Sequence, residues 1–507
     1  MAMTKKNNSK NNQILFLAIE DLVPQNHLVR KLESTLDWNF IYPLVENLYS
    51  HFGRPSIDPV VLFKMVFINI IFGINSMRRT CEEIEVNNAY RWFLGLSLID
   101  EVPNYSTWSQ NYIRRYKDSN VFEEIFEEIL KDAMNYGFIN MESVFGDSTH
   151  QKANANKNKY EDKVVEITKK KFEDDLLNEI NEDREKHGKK KIDKIRKTEV
   201  IFDEETGEEK EIAETKHIKQ SPVDPESGVF HKGEKQKCYA YSHQTFCDIN
   251  GFVLTHTTIP GNVHDSVSFY EAYNKLIKKY NNHINNVCLD AGYVNPAICK
   301  EIIESGKKPI LPYKRPMTKK GYFKKYEYVY DEEYDCYICP NTKILKYTTT
   351  TKEGYRQFKS NPIECESCPF RSKCTGSKNM VKVINRHVWE EYREEAEEIR
   401  YTQLWKDVYP HRKETIERVF ADCKEQHGMR FTRVRGLVKN DNQTTMIFAC
   451  HNLKRIANWS WKSNQKRTGN NHSSKNIQSL LNILFKNDEN YKKRVVHLFR
   501  WATLSTI

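Results

Sequence analysis

Two short stretches of the chain end alike. SVFGD closes an apolar run on Asp147, and NVCLD closes another on Asp290. A lone aspartate in such a place is ordinarily a turn or cap residue. A pair can do more, because an open α/β sheet presents ligands at the carboxyl ends of its strands. If the two strands are neighbours, the carboxylates can share a cation. Mg2+ is hard and takes oxygen donors, and two such ions about 3.5–4 Å apart clamp the attacking and leaving oxygens in phosphodiester chemistry. A third acid is then expected from a helix beside the sheet. RKETIERVFADCKEQHG offers Glu417, with Glu414 and Glu425 as competing acids. Arg412 and Lys413 precede Glu417, and Lys424 follows on about the same helical face. Arg412 would grip a phosphate as a fork and Lys424 as a point charge. Tyr409 is the nearest tyrosine upstream.

A second constellation is made of thiols. CYIC holds Cys336 and Cys339, and CESCPFRSKC holds Cys365, Cys368 and Cys374. Two CxxC pairs separated by a strand-like stretch have zinc-ribbon spacing, and four thiolates close a tetrahedral structural site. Five cysteines compete for four places; Cys336, Cys339, Cys365 and Cys368 are the favoured set, with Cys374 as substitute. Cys81, Cys238, Cys247, Cys288, Cys299, Cys423 and Cys450 are scattered and read as core. The polar start, MAMTKKNNSKNN, has no apolar signal region. Twelve cysteines without one suit a reducing compartment, hence thiols or metal ligands rather than disulfides.

The elements that must position these groups follow from patterning. With 507 residues, two or three units are expected. Helical spacing runs from HLVRKLESTLDWNFIYPLVENLY through PNYSTWSQNYIRRY, giving a helical DNA-binding or dimerisation domain over 14–125 after a disordered start at 1–13. Its most apolar run, Val60 to Ile74, carries Lys64 and Asn69 and is too short to span a bilayer, so it reads as a buried helix. Strand, hairpin, helix, strand, helix, strand then follow from Ser143 to Tyr313, a mixed α/β domain over 140–310 completed by helices at 395–460. A highly charged insertion, 157–236, interrupts it; solvated weak helices and a hairpin in EVIFDEETGEEKEI are expected there. A cysteine-rich insertion fills 311–394, and 461–507 is a polar linker and tail. The net charge of +10 suits an anionic partner. Arg430, Arg433, Arg435 and Lys439, with Phe431 among them, are candidate DNA contacts, as are Arg78, Arg79, Arg114, Arg115 and Lys152.

Taken in order, these segments resemble an insertion-sequence transposase of the DDE class. GRPSIDPVVLFKMVFINIIFGINSMRRTCEEIEVNNAYRWFLGL is similar to the N-terminal helical domain of that family, and FGDSTHQKANANK to its first catalytic strand. NVCLDAGY is similar to the second catalytic strand, and HRKETIERVFADCKEQHGMRFTRVRGLVKNDNQTTMIFACHNLKRI to the glutamate-bearing helix and its basic follow-on. PGNVHDS fits the loop after the hairpin. The resemblance implies an RNase H-like mixed sheet with flanking helices. It implies Asp147, Asp290 and Glu417 as the ligands of two Mg2+ ions, which Mn2+ should replace. Several transposases similar to this one carry a cysteine cluster between the second aspartate and the glutamate, where structural Zn2+ is expected. It also implies cleavage at the element's terminal inverted repeats and joining of the freed 3′-OH to target double-stranded DNA. A homodimer or larger assembly on DNA, in the bacterial cytoplasm at the nucleoid and away from membranes, goes with that activity. A same-fold nuclease without strand transfer, or a catalytically silent DNA-binding relative, are the competing readings.

Overall fold

The computed structural model describes residues 16–50, 52–53, 55–166, 172–195, 199–202, 209–212, 215–232, 236–315 and 317–467. The expected disordered start at 1–13 and most of the tail lie outside them. The chain divides into two compact units, one of residues 1–140, 421–430 and 441–507, the other of 141–420 and 431–440. The boundary therefore falls within two helices, Ile416–Gln426 and Leu437–Arg467.

The first unit is helical. Asp58 caps the helix Pro59–Ile71 by accepting from Val60 N, and Pro59 supplies the preset φ of a first helical residue. Nine of its thirteen residues are buried, as the apolar run requires. Lys64 is among them, 7% exposed. Its charge survives burial because Nζ meets Glu33 Oε2 at 2.8 Å and lies 5.1 Å from the Trp38 ring centroid. Met77–Val86 and Asn88–Leu94 follow as two short helices, capped by Ser76 and Asn87. The next helix, Tyr105–Asn111, is capped by Asn104, whose side chain accepts from Ser106 N. Val121–Asn135 closes the N-terminal series with a buried stripe of Phe122, Ile125, Phe126 and Ile129. No helix among the described residues is long and apolar enough to cross a membrane.

The second unit is built on six strands: β1 Ser143–Lys152, β2 Gly228–Lys232, β3 Gln236–Asp248, β4 Val253–Pro260, β5 Asn286–Cys288 and β6 Lys308–Ile310. Their order is β6-β5-β1-β3-β2, with β4 also paired to β3. β3 is antiparallel to β1, β2 and β4, whereas β5 is parallel to β1 and β6 parallel to β5. The β3–β4 hairpin turns at Asp248 to Gly251, where Gly251 takes φ +75°, as the sequence signal for a hairpin requires. Gly146 lies in β1 where no side chain fits: a Cβ there would stand 2.5 Å from Phe246 Cε1 and 2.7 Å from Leu289 Cδ2. Pro296–Glu304, the crossover helix from β5 to β6, begins on the Asn295 cap and is followed by Gly306 at φ +76°.

A second sheet, antiparallel and five-stranded, occupies the cysteine-rich region in the order β7 Val329–Asp331, β8 Cys336–Ile338, β9 Ile344–Thr350, β10 Tyr355–Lys359, β11 Val383–His387. It has its own small core of Tyr328, Tyr337, Leu345, Phe358 and Ile384. The charged insertion is more ordered than its composition suggests. Glu161–Glu166, within the stretch expected as weak helix, is a strand paired with Thr215–Gln220. The expected hairpin pairs Glu199–Phe202 with Glu209–Ile212, its turn lying outside the described residues. The helix Glu173–Lys186 is docked rather than solvated. Leu176 and Ile180, one turn apart, are buried against Ala297 and Trp389. Arg356 ties that helix to the second sheet through Asp183, with Nε to Oδ1 at 2.9 Å.

Candidate active site: acids around one guanidinium

Pairing in the sheet aligns the two aspartates. Val144 faces Val287 and Phe145 faces Cys288. Two residues further along each chain come Asp147 and Asp290, so both side chains fall on the same side as that last pair. Asp147 is not the strand's last residue, as SVFGD suggests. β1 runs on to Lys152 because its polar half continues antiparallel to β3, with Asp147 opposite Thr245 and Lys152 opposite Ala240. Only the parallel pairing with β5 stops at Phe145. Asp290 likewise lies beyond β5 and caps the single turn Ala291–Tyr293, where its Oδ1 accepts from Gly292 N at 2.7 Å.

Tyr293 ends that turn and is 1% exposed. Its hydroxyl donates to Gln244 Oε1 at 2.7 Å, and Gln244 stands opposite Ser148 in the sheet. The loop of Asp290 is therefore tied to the strand beside Asp147 by a buried hydrogen bond. Gln244 has no periodicity or spacing in sequence that would single it out.

The third acid comes from the helix Ile416–Gln426, whose buried side carries Ile416, Val419 and Phe420. Glu417 opens its first turn and keeps 48% of its side chain exposed. Just before it, the tight helical stretch Tyr409–Lys413 delivers Arg412. Arg412 Nη1 donates to Glu417 Oε1 at 2.7 Å, and Nη2 is hydrogen-bonded to Asp147 Oδ2. Burial works against the Arg412 charge, but Asp147, Asp290 and Glu417 together hold its pKa above the ordinary arginine value. Asp147 and Glu417 thus share one guanidinium, and Asp290 is its electrostatic neighbour. Tyr409 is close by: burial raises its hydroxyl pKa, Arg412 opposes that, and Asp290 and Glu417 add to it. Tyr409 stacks on Trp405 at 4.7 Å, and Trp405 Nε1 donates to Leu311 O at 2.8 Å just after β6. This fixes the turn that carries Arg412.

Other candidates scatter. Glu414 is exposed at the end of the Arg412 stretch, and Glu425 is ion-paired with Arg430. Lys424 is in the last turn of the Glu417 helix, in the portion belonging to the first unit. Arg433, Arg435 and Lys439 are exposed. Arg78 lies over Tyr105 at 4.5 Å and Arg115 over Tyr49 at 4.4 Å.

Among the thiols, Cys339, Cys365 and Cys374 are electrostatic neighbours: burial raises the Cys374 pKa and the other two add to it. Cys339 Sγ accepts from Lys343 N at 3.3 Å, and Cys368 Sγ accepts from Asn341 Nδ2 at 3.6 Å on the same turn. Cys336 has other company, since burial and the acids Asp331 and Asp335 raise its pKa. Among the described residues, no group of three or more His, Cys, Asp or Glu side chains is disposed to hold a metal ion as they stand.

The fold and site so far define a mixed α/β protein with acids gathered at the edge of parallel strand pairing. Residues 338–457, which include Glu417 and its helix, match the family described as Transposase DDE domain, and residues 17–114 match Transposase domain (DUF772). The two matches support an insertion-sequence transposase of the DDE class. No curated protein and no solved structure matches the chain.

Proposed function

We propose that this chain is a DNA transposase that cuts the ends of its element and joins the freed 3′-OH to target DNA. The pairing of Asp147 and Glu417 through Arg412, with Asp290 as an electrostatic neighbour of the same guanidinium, carries this reading. The strand order β4-β3-β1-β5-β6, three antiparallel strands followed by two parallel ones, supports an RNase H-like sheet as its frame. The donor set is all carboxylate, which fits Mg2+ or Mn2+, and two such ions would polarise the scissile phosphate and activate the attacking oxygen. Asp147 from β1, Asp290 from the turn after β5 and Glu417 from the helix would hold them. Arg412, released from the acids, has a fork suited to a phosphate's two oxygens. Arg430, Arg433, Arg435, Lys424 and Lys439 would neutralise phosphates on either side. The helical unit would hold the element's inverted repeats, and paired ends would bring two copies together.

Strand transfer is the test. Supplied with pre-cleaved ends of the inverted repeats flanking its gene, a target plasmid and Mn2+, the protein should produce joined molecules. Cleavage of intact ends without joining would instead favour the nuclease reading, and end binding with neither would favour a silent relative.

For the cysteine region we propose a structural Zn2+ held by Cys339, Cys365, Cys368 and Cys374. The N–H groups already aimed at Cys339 and Cys368 support this set, because thiolates attract such donors. Purified protein should then carry one zinc per chain by elemental analysis. Cys374→Ser should lose it and Cys336→Ser keep it; the reverse pattern would restore Cys336 as a ligand.

A further inference from the structure

Phe431 is a large aromatic that the protein leaves in the open, with 58% of its surface exposed. The loop that carries it is not free. Phe431 forms a parallel bridge with Lys152, the last residue of β1, and Thr432 N donates to Lys152 O at 2.9 Å. Asn154 holds the next residues twice over: its Nδ2 donates to Arg433 O at 3.1 Å, and its O accepts from Arg435 Nε at 3.2 Å. At the far end, Gly436 N donates to Asp224 Oδ1 at 2.9 Å and Leu437 N to Glu226 Oε2 at 2.5 Å. Asp224 is fully buried and itself accepts from the Tyr241 hydroxyl at 2.8 Å, so the return of the charged insertion anchors the loop to β3. The exposed ring is thus mounted on a backbone fixed at both ends, which removes the entropy of ordering it on contact.

Its surroundings are cationic. Lys152 Nζ lies 5.2 Å from the ring centroid, and Arg433, Arg435 and Lys439 are exposed on the same segment. The carboxylates nearby, Asp224 and Glu226, are occupied with the backbone. An aromatic face among cations complements a nucleic acid strand, with phosphates for the charges and a base for the ring. It does not complement an apolar protein patch.

We infer that Phe431, backed by Lys152, stacks on an unpaired base of the DNA that the protein cuts. The inference rests on the transposase reading above. Within an intact duplex both faces of a base are covered by its neighbours, so a stacking side chain needs a base that is frayed, displaced or flipped. Lys152 is five residues beyond Asp147 along one strand. At about 3.3 Å per residue that is roughly 16 Å, or about five nucleotides of a DNA strand. The stacked base would therefore belong to the same bound end as the scissile phosphate, several nucleotides from it.

The test compares two DNAs of equal length, a blunt duplex and a duplex with a ten-nucleotide dT overhang carrying one 2-aminopurine. Wild-type protein should prefer the overhang and change the 2-aminopurine fluorescence. Phe431→Ala should lose about tenfold in overhang affinity and the fluorescence change, while keeping blunt-duplex affinity and the salt dependence of binding. Phe431→Trp should retain all four properties, which separates stacking from misfolding. Overhang binding by Phe431→Ala equal to wild type, or an equal loss on both DNAs, would overturn the inference while the transposase reading stands. Failure of wild-type protein to bind either DNA would overturn both.

Discussion

Replacing any one of Asp147, Asp290 and Glu417 by its amide is expected to lower DNA cleavage by about a thousandfold or more and to leave end binding within about twofold. The magnitude follows from the role. Metal ions stabilise several kcal/mol of charge in phosphoryl transfer, and about 4 kcal/mol on a barrier is a factor of roughly a thousand. The amides are the right probes because they keep the local structure. In Asp290→Asn the amide oxygen could still accept from Gly292 N as the carboxylate does. In Asp147→Asn it could still accept from Ser148 N, which now lies 2.8 Å from Asp147 Oδ1. In Glu417→Gln it could still accept from Arg412 Nη1, which lies 2.7 Å from Glu417 Oε1. Glu414→Gln and Glu425→Gln, on exposed acids outside the proposed ligand set, should cut at close to the wild-type rate. Cleavage of a labelled inverted-repeat end in Mn2+, beside a gel-shift assay, reads both quantities. Normal cleavage by all three amide variants would falsify the assignment of the site.

The two aspartates were legible in sequence because each follows an apolar run, and parallel pairing needs little more than that. The continuation of β1 past Asp147 was not. Its partner residues His243, Gln244 and Thr245 are fully buried yet polar, so the alternation that marks a half-buried strand is missing on both sides of the pair. The same polarity hid the function of KANAN. Asn154 reads as linker, and only the fold brings it to Arg433, some 280 residues later in the chain, with its side chain amide at 3.1 Å. In the charged insertion the docking of Glu173–Lys186 rests chiefly on Leu176 and Ile180, too thin a stripe to outweigh nine charged residues in sequence. For the cysteines, spacing gives candidates but not partners. CxxC favours Cys336 with Cys339, and in the fold Cys336 opens the strand Cys336–Ile338 while Cys339 follows it.

Arg412 is the second place where a large effect is expected, and it has two parts. As the structure stands, its guanidinium is the counter-ion of the acid cluster: its side chain is 11% exposed, that of Asp147 18% and that of Glu417 48%. Arg412→Ala would leave those carboxylates repelling one another. Removing one partner of a fully buried pair costs about 3–5 kcal/mol. Glu417 is half in solvent and its share is screened, so on the order of 2 kcal/mol is expected, a few degrees in the melting temperature of metal-free protein. Millimolar Mn2+ should close most of that gap, because a divalent cation can neutralise the same oxygens. The stabilisation by Mn2+ should accordingly be larger in Arg412→Ala than in wild type. Cleavage should fall by about a hundredfold even with Mn2+ saturating, since the fork that meets the phosphate is gone. Arg412→Lys separates the two parts. A lysine restores the positive charge and with it much of the metal-free stability, but as a point charge it cannot bridge two carboxylates or grip two phosphate oxygens. Thermal unfolding with and without Mn2+ reads the first part and single-turnover cleavage the second. Equal Mn2+ stabilisation in Arg412→Ala and wild type would mean that the guanidinium and the metal do not compete for the same carboxylates.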